Sequence, residues 1–130
     1  MPTTPNVFRI ESRFLKELAS EESCVMAGRS GFYVCRDMPN TIHIFIQSTI
    51  EKRVQRVMEK QNLTEKEARE AIERVDKGRE IYTRETANIS RYDTRNYDIV
   101  LNVANLTEDE AVDLIMNYIE INFKRKGILK

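Results

Sequence analysis

Eight of the thirteen arginines fall between Arg53 and Arg95. A guanidinium is always charged, and its planar fork of donors fits phosphate or carboxylate oxygens two at a time. Arg53 and Arg56 stand three apart near the start of a helical pattern, directly after a run of strand type, Ile42 to Ile46. Arg29 follows Gly28 just past a second short apolar run, Ser23 to Ala27. In open α/β sheets the carboxyl ends of the strands are where ligands bind. The chemistry on offer is the gripping of anionic oxygens by charge and hydrogen bonds. Each arginine also has a plainer reading. Arg29 suits a surface ion pair, and Arg53 and Arg56 suit helical pairing with Glu59 and its neighbours.

Other reactive types are sparse. Cys24 and Cys35 fit no metal-ligand spacing, and the single His43 cannot complete a zinc site with them. His43 alternates with strand residues and reads as structural. No metal site is expected. Tyr82, Tyr92 and Tyr97 could stack a base, although packing under the arm is the better explanation.

The elements that must carry these arginines are legible from periodicity. Thr4-Pro5 opens a helix to about Glu22, with Phe8, Phe14, Leu15 and Leu18 at helical spacing. Ser23 to Ala27 reads as a strand and Ser30 to Arg36 as a short helix. Ile42 to Ile46 reads as the next strand. Ser48 with Glu51 matches a capping box, followed by Ile50, Val54, Val57 and Met58 on one helix face. That helix should end near Gln61-Asn62. Thr64 with Glu67 is a second box, and Thr107 with Glu110 a third. The helix from Glu65 to about Glu85 has only Ile72 and Val75 as large apolar residues before Gly78. It reads as a projecting, mobile arm spanning about 64–92 with its loop. Tyr97 to Val103 is a third strand, and Ala111 to Ile119 follow a last helical face.

Strands alternating with helices, and lacking polar alternation, predict a three-layer α/β fold. Its short parallel sheet has about three strands flanked by helices. At 130 residues this is a single domain, 1–130. Lys and Arg together number 21, as do Asp and Glu, so no net charge draws the chain to nucleic acid or membrane. Two unpaired thiols and no leader-like start suggest the cytoplasm.

In their order and spacing these segments resemble the cytidylate-kinase-like family of nucleoside monophosphate kinases. The resemblance runs from about Val7 to Ile119, through CVMAGRS, DMPNTIHIFIQSTIEKRVQRVME, ERVDKGREIYTRE and YDIVLNVANLTEDEAVDLI. It covers what would be the C-terminal two-thirds of such a kinase, a truncated P-loop fold. The resemblance implies that Arg29 and Ser30 meet the acceptor nucleotide. Arg53 and Arg56 would line the donor side. Arg74, Asp76 and Arg79 would be catalytic lid groups closing on the transferred phosphoryl, with Arg84 as the alternative lid arginine. Ser30 replaces the aspartate that typically follows the Gly-Arg pair, which leaves cytosine selectivity open.

No G-x-x-x-x-G-K-[ST] exists in the chain. That loop cradles donor phosphates and, through its hydroxyl, magnesium. ATP and Mg are therefore expected only if another segment supplies the loop, and the isolated chain is expected to be inactive. The strand bearing that loop would sit mid-sheet, between Ser23–Ala27 and Ile42–Ile46. Either those two strands pair directly or a second chain fills the gap. Expected partners are a CMP-like nucleoside monophosphate, with a homodimer or a complementing N-terminal kinase half. Two alternatives stand beside the kinase reading. One is a non-catalytic relative that binds nucleotide or protein, the other a fragment of a longer gene product.

Overall fold

The computed structural model describes residues 4–21, 23–28 and 31–129, with side chains from Phe8 onward. Helix α1 spans Thr4–Glu21 and α2 spans Gly31–Val34. Strand β1 is Ile44–Gln47, and α3, Ile50–Gln61, leaves it after two residues. Helix α4 is Glu65–Ala87, a 3-10 turn covers Thr94–Asn96, β2 is Ile99–Asn102 and α5 is Glu108–Arg125.

The two strands are parallel neighbours, in register from Ile44 opposite Ile99 to Gln47 opposite Asn102. The ladder extends by one bond at each end: Asp98 N–H donates to the His43 carbonyl and Val103 N–H to the Gln47 carbonyl, both at 2.8 Å. The mixed α/β class holds, but helix dominates and, among the described residues, the sheet has two strands rather than about three. Ser23 to Ala27 is irregular, and Val25 is 99% exposed. An apolar run becomes a strand only where a neighbouring backbone completes its ladder. Among the described residues β1 pairs with β2 and no backbone pairs with this segment.

Local chemistry fixes the helix ends. Thr64 accepts a bond from Glu67 N–H while the Glu67 carboxylate accepts from Thr64 N–H, and Thr107 and Glu110 do the same. The box expected at Ser48 and Glu51 does not form. Thr49, not Ser48, caps α3 and accepts from Lys52 N–H at 3.3 Å. Two adjacent hydroxyls suit the same role, and spacing alone does not choose between them. Asn62 and Asn88 close α3 and α4 with φ of 53° and 57°. Each turns its N–H back to a helix carbonyl, Met58 and Arg84 respectively. Asparagine tolerates this left-handed geometry better than most residues. Thr64→Ala should lower stability by about 1 kcal/mol, since it removes the hydroxyl that accepts from Glu67 N–H while leaving the backbone half of the box in place. Thermal or urea unfolding would read this, with Thr64→Ser close to wild type.

The second correction concerns α4. Far from standing off the core, it supplies much of it. Ala68 is fully buried, and with Ile72 and Val54 it makes a cluster onto which Val57, Met58 and Leu63 pack. Apolar size was a poor guide because a helix pair approaches closely where one side chain is small. At 1.5 Å per residue α4 is about 34 Å long against about 18 Å for α3, so α3 can cover only its first half. The second half meets α1. Tyr82 sets its ring edge-on to Phe8 at 6.1 Å, and its hydroxyl lies 3.3 Å from a Glu11 carboxylate oxygen. The helix runs through Gly78 without a break. Among the described residues no helix is long and apolar enough to cross a membrane.

Candidate functional site

The turn from β1 into α3 places Arg53 in the first turn of α3, beside the carboxyl end of β1. From there its guanidinium reaches α4. Nη1 donates to Asp76 Oδ2 at 2.8 Å and Nη2 to Oδ1 at 2.7 Å, a two-pronged pair between half-buried groups. Hydrogen bonding from Arg53 holds the Asp76 carboxyl below its usual range, against burial, with the charges of Arg53, Arg91 and Arg79 adding to the effect. The same bond, outweighing burial, lifts the guanidinium of Arg53 above its ordinary value. Three guanidinium groups from three segments thus share the field of one carboxylate.

Arg91 comes from the connection after α4, and its placement is the most heavily braced. Its N–H donates to Glu80 Oε1 at 3.0 Å, and the Ser90 hydroxyl donates to Glu80 Oε2 at 2.7 Å. Burial pushes the Glu80 carboxyl upward, but those bonds and the nearby Arg84 and Arg91 charges outweigh it, leaving it below the usual range. The Tyr97 hydroxyl donates to the Arg91 carbonyl at 2.7 Å. The guanidinium lies 5.5 Å from the Phe45 ring centre and 5.3 Å from that of Tyr92, within reach of cation–π attraction. Phe45 also touches the Tyr92 and Tyr97 rings, and Tyr97 meets Phe32 at 4.9 Å. An aromatic wall from β1, the loop and α2 therefore stands beside the cationic cluster. Asp93 stiffens the same loop. A forked hydrogen-bond pair from the Arg95 side chain, then the Arg95 N–H, bring its carboxyl down to about 2.

The residues singled out in the sequence separate into groups. Arg53, Asp76 and Arg79 are brought together. Arg74 is not: it is exposed on nearly the opposite side of α4, lining a shallow groove with Glu70, Glu73, Lys77, Gly78 and Ile81. Two positions along a helix turn the side chain by about 200°, so Arg74 and Asp76 cannot share a face. Arg56 points elsewhere, 3.5 Å from Glu108 at the start of α5, with both side chains largely exposed. Arg84 lies 3.7 Å from Glu80. Arg29 and Ser30 lie outside the described residues.

Sequence reasoning missed Arg91, Glu80 and Phe45. The available signal was the arginine-rich loop itself, with Arg91 beside Tyr92 and shortly before Tyr97. His43 keeps to a structural place. Its N–H donates to Asp98 Oδ2 at 2.6 Å, tying the starts of both strands, and burial lowers the pKa of its ring. An open groove of about 480 Å³ lies at this amino end, with Arg36, His43, Asp98 and Lys126 on its walls. Among the described residues no group of three His, Cys, Asp or Glu side chains comes together to hold a metal.

Comparison with known proteins bears on this arrangement. The cytidylate kinase-like family profile matches residues 1–105, which contain every residue of the cluster. The chain belongs to the cytidylate kinase-like family. Within that family-level assignment, the fold is similar to the crystal structure of an uncharacterized protein from Eubacterium ventriosum ATCC 27560. The TM-score is 0.83 and the sequence identity 31%, over 88% of this chain and 72% of that one. A uronate isomerase from Corynebacterium glutamicum is 34% identical over 98 residues, or 75% of this chain. Those residues are 19% of the isomerase, so the chain spans about a fifth of the length of that curated relative.

Proposed function

We infer that this member of the cytidylate kinase-like family binds a nucleoside monophosphate of the CMP type at the arginine cluster. Phosphoryl transfer would follow only where another polypeptide or a longer chain supplies the phosphate loop. One observation carries the reading: the forked Arg53–Asp76 pair feels the charges of Arg79 and Arg91, and Arg91 stands beside the aromatic wall of Phe45, Tyr92 and Tyr97. A phosphate group suits three guanidiniums, and a base suits the exposed Tyr92 ring. Phosphoryl transfer asks a protein mainly for positioning and charge neutralisation, which such a cluster offers. Asp76 keeps Arg53 extended and prevents mutual repulsion of the cations while no anion is bound.

A truncated P-loop kinase fold and a cytoplasmic setting belong to the same reading. ATP and Mg do not fit the residues present. The sequence lacks the glycine-rich lysine loop, and the described residues hold no metal-binding group. No step through them is derived. The alternative is a non-catalytic relative that binds nucleotide or a protein partner, favoured by the same missing loop.

Calorimetry separates the readings. CMP should bind the isolated chain, and Arg79→Ala or Arg91→Ala should each weaken it about 10- to 100-fold, the range for one charge-assisted contact. A mixture of CMP, ATP and magnesium should yield no CDP. Measurable CDP would overturn the need for a second loop. Silence towards CMP and ATP alike would replace the nucleotide reading with the protein-binding one.

A further inference from the structure

Helix α5 carries more apolar surface than its own chain covers. Ala111, Ile115, Tyr118, Ile119 and Phe123 are half-buried, and no residue of the helix is fully buried. Val112 and Met116 on one flank are 55% and 57% exposed, and Leu114 and Ile121 on the other are 46% and 54% exposed. At 3.6 residues per turn these positions spread over about 220° of the helix. A helix that rests one face on a core needs a stripe of roughly 100° or a little more.

The whole surface is also large, with exposed apolar side chains on α1 and α4 as well as on α5. The chain exposes 9832 Å². A compact chain of 15.3 kDa is expected to expose about 7,100 Å², so the excess is about 2,700 Å². An obligate homodimer removes roughly 1,000–2,500 Å² from each partner. The excess is slightly above the top of that range.

Charge selects the occupant. The first turns of α5 carry Glu108, Asp109, Glu110 and Asp113 with no base among them. Its end carries Lys124 and Arg125, followed by Lys126. Two such helices laid antiparallel set the acidic start of each against the basic end of the other. The chain's formal net charge of zero offers no long-range repulsion. We propose that α5 is the two-fold contact of a homodimer, running antiparallel to its copy. Val112 and Met116 form the shared apolar strip, and Asp109 of each copy lies beside Lys124 of the other. Lys124 already bonds Glu120 within its own helix at 2.8 Å, which holds the ammonium on that flank. The contact is self-complementary, as a two-fold requires.

Light scattering on the full chain should give twice the mass of 15.3 kDa. Met116→Glu, an exposed position, should give a monomer with unchanged circular dichroism. Asp109→Lys and Lys124→Glu should each weaken the dimer about tenfold, since each substitution breaks both symmetric pairs, and the double variant should recover it. A monomeric wild-type chain would overturn the proposal, whether or not it captures some other protein. So would a dimer indifferent to Met116→Glu, or a double variant no tighter than the singles.

Discussion

Arg53→Ala should cost about 1–3 kcal/mol of stability at neutral pH, because it leaves the half-buried Asp76 carboxylate without its two-pronged donor. Asp76 keeps the neighbouring charges of Arg79 and Arg91, which places the loss below that of a fully buried pair. Asp76→Asn removes the charge from the other side and leaves three guanidiniums facing an amide. It should be less stable than wild type at pH 7, with a sign-specific pH dependence. The folded carboxyl titrates below its ordinary value of 3.8, chiefly through the Arg53 hydrogen bond. The stability it contributes is therefore complete above 3.8 and lost as pH falls through the lower folded value. Urea midpoints of wild type and Asp76→Asn should differ at pH 7 and converge as the pH drops below that window. A constant gap down to acid pH would show that the asparagine acts through packing, not charge. On the functional side, Arg53→Ala should weaken CMP along with stability. Arg79→Ala, at an exposed side chain, should weaken CMP with little change in unfolding.

The pairing of Arg53 with Asp76 shows what the sequence could and could not disclose. That Arg53 would stand just past the end of Ile44–Gln47 was legible from the strand-to-helix pattern, whereas Arg56 turns instead to Glu108. That Arg74 would leave the group follows from helical rotation alone, and was obscured by treating ERVDKGRE as a linear motif. Arg91 was hidden for another reason. Its position depends on Glu80 and Tyr97, which lie 11 residues before it and 6 after, and contacts through a loop leave no periodic trace. The two strands on either side of the arm were legible because each is a short, mostly apolar run. The expected strand at Ser23–Ala27 is likewise short and largely apolar but has no partner backbone among the described residues. Propensity describes what a segment can do, and pairing decides what it does.

Helix α4 offers the sharpest test of that difference. Ile72→Ala should lower stability by about 2–4 kcal/mol, the cost of lost burial plus the cavity left between α3 and α4. Ala68→Leu should cost about 1–3 kcal/mol for the opposite reason, since a fully buried methyl at a helix crossing has no room for three more carbons. Val75 and Ile81 sit on the same helix, 44% and 46% exposed, and their alanine variants should stay within about 0.5 kcal/mol of wild type. Urea midpoints across the four variants read the pattern directly. A projecting arm that contributes nothing to the core would make all four equally mild. The buried pair should instead stand apart from the exposed pair, and the consequence reaches the candidate site. Asp76 lies one turn beyond Ile72, so the packing that fixes Ile72 against Val54 also fixes the carboxylate against Arg53 on the facing helix. Ile72→Ala should therefore weaken CMP binding as well, without touching any group that meets the nucleotide. An Ile72→Val variant, which keeps the contact with Val54, should recover most of both losses.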